Sequence, residues 1–166
     1  MGLNINTRLK VITGLAVISA TLYSIAHATD QGFSVGLQLN APIVVSESSP
    51  LTFPNAVVSG QNEVITTAPS SSIAAQFTAT GEASALVTAG VVESQITMIT
   101  GDGQSPDEQI IVDNFTRGGD MDVNGNATFS SAGQLNNLRV GASANIQAED
   151  GPGNYSGSAT FRMVYQ

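Results

Sequence analysis

The chain has 166 residues and a formal net charge of −8, and it contains no cysteine and no tryptophan. Its one histidine, His27, and its one lysine, Lys10, both lie near the N-terminus, so residues 29–166 hold neither type. That composition excludes Ser-His-Asp and Cys-His catalysis, Schiff-base chemistry, zinc sites with nitrogen or sulfur ligands, and disulfide bonds. We therefore expect no enzymatic activity and no cofactor.

The N-terminus has the pattern of a secretory signal peptide. Arg8 and Lys10 precede an apolar run at 11–26, and small residues flank His27 in "AHA" at 26–28. This pattern predicts cleavage after Ala28, with an uncleaved membrane anchor as the alternative. Residues 29–166 would then keep three arginines against all 13 acids, a formal net charge of −10. Nucleic acid and anionic membranes are poor partners for such a chain.

The next stretch, "FSVGLQLNAPIVV" at 33–45, is apolar at every odd position. A period of two is typical of a β-strand, but thirteen extended residues would span about 43 Å, far beyond a usual strand. One interpretation is a single long first strand, kinked at Pro42, that pairs with the C-terminal strand of its own chain. The other is a donor strand, in which Phe33, Val35, Leu37 and Leu39 fill another molecule and the chain's own sandwich begins near Ile43.

Short β-rich runs separated by Gly, Asn, Ser and Pro fill the rest of the chain and predict an all-β antiparallel sandwich in one domain. The sequence therefore predicts three parts of the chain: a signal peptide at 1–28, an N-terminal extension or first strand at 29–40, and the sandwich at 41–166. Most of seven aromatics are expected between the sheets: Phe53, Phe77, Phe115, Phe129, Tyr155, Phe161 and Tyr165. The predicted runs are "AVVSG" near 56, "EVITT" at 63, "SIAAQFTATG" at 72, "SALVTAG" at 84, "SQITMIT" at 94, "EQIIVDNF" at 108, "NATFSS" at 126, "LRVGASANI" at 138 and "SGSATFRMVY" at 156.

Two loops carry acidic residues. In "DMDVNGN" at 120–126, Asp120, Asp122 and Asn124 match the first half of a calcium loop, but Ser131 stands where the closing glutamate belongs. Asn124-Gly125 is also a strong hairpin signal, and we predict a plain hairpin rather than a metal site. The loop "GDGQSPDEQ" at 101–109 is interpreted as a solvated surface loop.

The C-terminal run alternates, with Ala159, Phe161, Met163 and Tyr165 on one face and Tyr165 as the penultimate residue. Gly153 is the fourteenth residue from the end. These features together resemble the C-terminal signature of chaperone–usher pilus subunits. The resemblance implies that the last strand borders a groove, filled first by a periplasmic chaperone and then by the N-terminal extension of another subunit.

A second resemblance spans nearly all of residues 41–166. The segments "APIVVSESSPLTFPNAVVSG", "QFTATGE", "IIVDNF", "LRVGA" and "GNYSGSATFRMVY" are similar to the secreted bacterial domain-of-unknown-function family numbered 4402. Pro54 and Ala144 stand where that family has glycine and leucine, and the ending also resembles spore coat U domains. The resemblance implies an immunoglobulin-like sandwich from a Gram-negative bacterium and implies no activity.

Two functions follow as hypotheses. The first is a secreted, pilin-like structural subunit that assembles by strand exchange into a surface filament. Its partners would be copies of itself or other pilus subunits and a chaperone, and its assembly residues Phe33, Val35, Leu37, Leu39, Gly153, Phe161, Met163 and Tyr165. The second is a monomeric periplasmic or extracellular binding module whose loops, including 101–109 and 118–126, hold a glycan, protein or calcium ligand.

Overall fold

A computed structural model describes residues 29–166, and the predicted signal peptide at 1–28 lies outside them. Within this range no helix is long and apolar enough to cross a membrane. One 3₁₀ turn, Pro106–Glu108, accompanies nine strands in the described residues. The strands are β1 (Val44–Ser49), β2 (Glu63–Thr67), β3 (Ala75–Thr80), β4 (Leu86–Val91), β5 (Gln95–Ile99), β6 (Gln109–Gly119), β7 (Asn126–Thr128), β8 (Gln134–Ile146) and β9 (Phe161–Tyr165).

The strands form two antiparallel sheets of unequal size, which confirms the predicted all-β sandwich. The large sheet has the order β1-β3-β8-β6-β5, with β2 also pairing with β8, and the small sheet has the order β7-β4-β9. In the immunoglobulin fold, strands A, B, E and D share one sheet and C, F and G the other. Here β1, β3, β8 and β6 take the places of A, B, E and D, while β4 and β9 take those of C and F. No strand among residues 29–166 takes the place of G.

The thirteen-residue β8 connects most of the large sheet. One of its edges pairs with β3 through residues 134–140 and with β2 through residues 142–146, while β6 pairs along the other edge. The change of partner falls at Gly141, where the chain leaving β2 passes directly over β8. A Cβ atom at Gly141 would collide with the carbonyl oxygen of Thr67 and lie 2.7 Å from the nitrogen of Pro69. The glycine therefore permits two strands to share one edge.

The apolar interior divides along β8 into two clusters. The first cluster lies between the sheets, and β8 contributes Leu138 and Val140 to it, together with Phe129 after β7 and Val87 of β4. The second cluster lies under the other half of β8, where the side chains are the small Ala142 and Ala144. Its cover comes from residues outside the small sheet, among them Leu51, Phe53 and Tyr155.

The aromatic core prediction is confirmed. Phe129 is fully buried, and the other six predicted core aromatics are half-buried, so none of the seven is largely exposed. Phe33, which the prediction leaves out of the core, is 85% exposed. Two stacked rings, Phe77 and Phe161, connect the sheets with centroids 4.3 Å apart and an interplanar angle of 7°.

Three local predictions are wrong. The single long strand over 33–45 does not form, because β1 begins at Val44 and residues 29–43 have no regular secondary structure. The run "AVVSG" near 56 is not a strand, and its Val57 is 83% exposed. The hairpin at Asn124-Gly125 is also wrong, because the strands on either side, β6 and β7, belong to different sheets.

We predict that Gly141→Ala destabilises the protein. The added methyl group must push β8 away from the chain at Thr67–Pro69, and such overpacking costs about 1–3 kcal/mol. The matched control is Gly32→Ala, where a Cβ would meet nothing within 4 Å. Urea unfolding should show a lower free energy of unfolding for Gly141→Ala and a change within about 0.5 kcal/mol for the control. Equal stability of the two variants would contradict the proposed role of Gly141.

Candidate functional site

The last strand, β9, has one free edge. The amide of Val92 donates to the carbonyl of Thr160 (2.9 Å), and the amide of Gln166 donates to the carbonyl of Leu86 (3.1 Å). In an antiparallel ladder, successive residues direct their main-chain N–H and C=O groups alternately toward the partner strand and away from it. The two bonds show that the even-numbered residues of β9 direct these groups toward β4. The odd-numbered residues Phe161, Met163 and Tyr165 direct theirs away, toward a side where β9 pairs with no strand among residues 29–166. We call this side the free edge.

Apolar side chains line the interior beside the free edge. Phe161, Met163 and Tyr165 are half-buried and pack against the first cluster, while Arg162 and Val164 face solvent. Ile43 and Val45 are half-buried against the same cluster, and Val45 lies in β1, the outermost strand of the large sheet. The two sheets therefore each end in a strand whose inward side chains are only partly covered.

Hydrogen bonds of the Tyr165 hydroxyl connect the end of β9 to the chain just before β1. Its hydroxyl donates to the carbonyl of Ala41 (2.7 Å) and accepts from the amide of Glu82 (2.7 Å), and the Glu82 carboxylate accepts from the amide of Ala41 (3.0 Å). Gly81 makes this approach possible, because a Cβ there would lie 2.7 Å from both the Tyr165 hydroxyl and the Phe129 ring. The chain therefore enters the sandwich at a fixed point.

The segment 33–39, which we call the donor segment, has exposed apolar side chains. Phe33, Val35, Leu37 and Leu39 are 83–85% exposed. The backbone here belongs to no strand or helix. Four large apolar side chains at alternate positions thus face water, which is more than the singly scattered apolar residues of an ordinary protein surface.

Gly153 does not lie with the other predicted assembly residues. It sits in the loop between β8 and β9, where a Cβ atom would lie 2.5 Å from the hydroxyl oxygen of Thr100. A neighbouring residue, Ser156, forms an isolated bridge with Ile99. The glycine thus permits this loop to close against the end of β5, away from the free edge.

The carboxylates at 120–126 accept hydrogen bonds from the protein's own main chain. Asp120 accepts from the amides of Asn136 and Asn137, and Asp122 accepts from the amides of Asn124 and Asn126, both at 2.8 Å. The side chain of Asn126 also donates to Asp122 (2.9 Å), and this bond is the first cause of a lowered Asp122 pKa. Residues 29–166 contain no group of three or more His, Cys, Asp or Glu side chains placed to hold a metal.

Two of the three acids in the loop at 101–109 accept hydrogen bonds from within the loop. Asp102 accepts from the amide of Gln104 (3.1 Å), and Glu108 accepts from the amide of Ser105 (3.4 Å). On the β4 side of the residue before β9, Glu93 accepts from the amide of Thr160 (2.8 Å), and that bond holds the pKa of Glu93 below its usual value. These carboxylates cap turns and strand ends.

Sequence reasoning missed one feature, a cavity bordered by residues 51–58 and 150–155. Its acidic member, Asp150, is 3% exposed although it lies in a Gly-rich loop. The sequence holds no signal for this, because an Asp before Gly-Pro-Gly is typical of an exposed turn.

The fold is an antiparallel immunoglobulin-like β-sandwich in which no strand among residues 29–166 pairs with the free edge of β9. The model of the family described as domain of unknown function (DUF4402) matches residues 43–165, so the chain belongs to that family. The match begins at Ile43 and therefore leaves the donor segment outside it. No curated protein and no solved structure matches the chain.

We predict that Tyr165→Phe lowers the free energy of unfolding by about 1–2 kcal/mol, because the ring stays and two hydrogen bonds of its hydroxyl are lost. Chemical denaturation measures this cost. Hydrogen exchange at the Glu82 amide should become faster, because its acceptor is gone. An unchanged exchange rate would show that the hydroxyl does not hold this amide.

The lowered pKa of Asp122 predicts a pH dependence. A carboxyl whose folded-state pKa lies below the unfolded value of 3.8 stabilises the fold above that value and loses the effect as pH falls through its folded pKa. Asp122→Ala should therefore destabilise the protein at pH 7, and its difference from the wild type should shrink below pH 3.8. Asp122→Asn, which keeps an acceptor oxygen, should cost less. Urea unfolding from pH 7 to pH 2.5 tests this, and a constant difference would contradict it.

Proposed function

We propose that this protein is an exported structural subunit that assembles by strand exchange. In this proposal the donor segment of one copy adds to the free edge of β9 in another copy and takes the place of strand G. The observation that carries the proposal is that the same molecule has two matching features. One is the exposed, alternating apolar segment at 33–39, and the other is the edge of β9 that pairs with no strand among residues 29–166. The signal-like N-terminus and the pilus-like chain ends support export and assembly.

The dimensions of the two elements agree. The donor segment of seven residues spans roughly 23 Å when extended, and β9 with five residues spans about 17 Å. The donor segment is thus long enough to pair with the whole free edge and to cover the apolar interior beyond it. Its odd-numbered side chains would all enter one face, since a strand repeats every two residues.

The free energies also favour exchange. Full burial of four large apolar side chains supplies about 6–12 kcal/mol, and association costs about 4–15 kcal/mol before side-chain ordering. Apolar burial alone therefore reaches only an approximate balance. The main-chain hydrogen bonds along the free edge supply the remainder, as in other cases of strand addition.

The direction of the contact determines the assembly. The donor segment and the free edge are different surfaces, so pairing between copies is heterologous and leaves one donor and one edge unused at the ends. Such a contact propagates into a filament unless the rotation between copies closes a ring. We propose a non-covalent filament at the cell surface, because residues 29–166 contain no cysteine or lysine for a covalent link between subunits.

A monomeric binding module is the second candidate function. The observation that favours it is the cavity at 51–58 and 150–155, because the loops at 101–109 and 120–126 use their carboxylates internally. The two functions are compatible, since the cavity and the free edge lie beside different apolar clusters.

The test uses the chain produced from its full sequence and purified as the cell processes it. We predict that Leu37→Asp abolishes polymerisation, measured by light scattering, and leaves the melting temperature of the monomer unchanged. The matched control is Val123→Asp, because Val123 is 84% exposed, as Leu37 is, but lies in the loop at 120–126. That control should polymerise normally.

A peptide complements this measurement if the purified protein is monomeric. A peptide of residues 31–41 added to the Leu37→Asp protein should raise its melting temperature, and the same peptide carrying Leu37→Asp should not. Unfolding of the Leu37→Asp monomer, or identical effects of the two peptides, would overturn strand exchange.

A further inference from the structure

A cavity of about 750 Å³ extends the gap between β1 and β9 past the start of β9. One wall, residues 51–58, follows directly after β1, and another wall, residues 150–155, belongs to the loop that leads into β9. Leu51 borders the cavity and packs against both apolar clusters. The cavity and the apolar interior beside the free edge therefore meet at Leu51.

The two ends of β9 have different surroundings. At Tyr165, the chain's own Ala41 lies against the side chain and accepts from its hydroxyl (2.7 Å). At the other end, Phe161 stacks on Phe77 of β3, and β1 runs along β3 past Phe77 before the chain continues to Leu51. A strand added to the free edge can therefore extend beyond β9 at the Phe161 end, toward the cavity.

The lining of the cavity suits an aliphatic side chain. The large sheet contributes Ile65, Ile110 and Ala144 to it. Asp150 is the one charged residue that borders the cavity within residues 29–166, and its oxygens are not free to bind an occupant. Oδ2 accepts from the amide of Gln147 (2.8 Å), and Oδ1, which has no partner in this range, is buried out of reach.

The contact at Tyr165 also determines the direction of an added donor segment. In a parallel arrangement, the end of the donor segment at Leu39 would lie beside Tyr165 of the accepting copy. The sandwich of the donating copy begins two residues later, so it would meet the accepting copy's own Ala41 at that point. An antiparallel arrangement avoids this collision, because Leu39 then lies at the Phe161 end.

The donor segment has one inward side chain more than β9. In antiparallel pairing, three side chains of the donor segment lie opposite the three inward side chains of β9. The pairs are Phe33 with Tyr165, Val35 with Met163, and Leu37 with Phe161. Leu39 is then left over, two residues or about 7 Å beyond Phe161, where the cavity begins.

We propose that the Leu39 side chain of the donating copy enters the cavity of the accepting copy at its Leu51 end. This inference rests on the proposed strand exchange and assigns the cavity a place in the same interface. Leu39 fills only the end at Leu51 and leaves the rest of the cavity open. The contact also fixes the register, since a shift of two residues toward Tyr165 would empty the cavity and press Phe33 against Ala41.

The probe is the peptide of residues 31–41, added to the Leu37→Asp protein. Methyl groups labelled with ¹³C report two places, Met163 in β9 and Ile65 in the cavity. Ile65 lies near the Leu51 end, because the hydroxyl of Thr67, two residues further along β2, donates to the carbonyl of Thr52. We expect the peptide to shift both signals saturably.

Variant peptides locate the side chain and need no refolding of the protein. The peptide with Leu39→Ala should bind at least 10-fold more weakly, because the burial of a leucine side chain is lost. At saturation it should shift Met163 and leave Ile65 unchanged. The matched control is the peptide with Phe33→Ala, which at saturation should shift both signals.

The two signals separate failure of this inference from failure of strand exchange. A shift of Met163 without Ile65 by the unchanged peptide would overturn the placement of Leu39 and leave strand exchange standing. The same holds if the Phe33→Ala peptide loses the Ile65 shift and the Leu39→Ala peptide keeps it. No shift of Met163 with the unchanged peptide would overturn strand exchange and this inference together.

Discussion

The close contact between Gly141 and the chain at Thr67–Pro69 is the constraint on which the rest of the structure depends. A side chain at this position would press β8 away from the segment that crosses it, so the glycine at residue 141 lets that segment pack closely where β8 changes its partner from β3 to β2. That sharing extends the large sheet beyond the small one. As a consequence β8 contributes to two apolar clusters, and only the first of them lies between two sheets.

The imbalance between six strands and three leaves two places where the sandwich is incomplete. At β9 the small sheet ends with main-chain groups that pair with no strand among residues 29–166, and such an edge invites pairing with another chain unless it is covered. Near Ala142 and Ala144 the inner face of the large sheet is covered by loops and not by the small sheet. Loops pack less completely than a facing sheet does. In the proposed strand exchange, a strand from another copy would fill the first of these places.

The sequence predicted most strands because a period-two pattern is local, and β9 with its inward Phe161, Met163 and Tyr165 is an example. It failed where the outcome depended on distant partners. Asn124-Gly125 does form a tight turn, with the amide of Gly125 donating to the carbonyl of Asp122 (3.0 Å), but the choice between a hairpin and a change of sheet is made by long-range packing. The alternation at 33–43 likewise could not show whether a partner edge exists. The unpartnered oxygen of Asp150 depends on a loop that closes only in the folded chain.

The distribution of charge bears on the proposed association between acidic copies of the chain. A formal net charge of −10 on residues 29–166 keeps copies apart at long range, and the repulsion is screened beyond roughly 8 Å at physiological salt. The donor segment, "FSVGLQL", carries no charge, and β9 carries only the positive Arg162. The proposed contact between these two elements would therefore avoid the acidic loops, which general aggregation of the sandwich would bring together. In that proposal, charge on the body and neutrality of the donor segment would favour one ordered contact over many disordered ones.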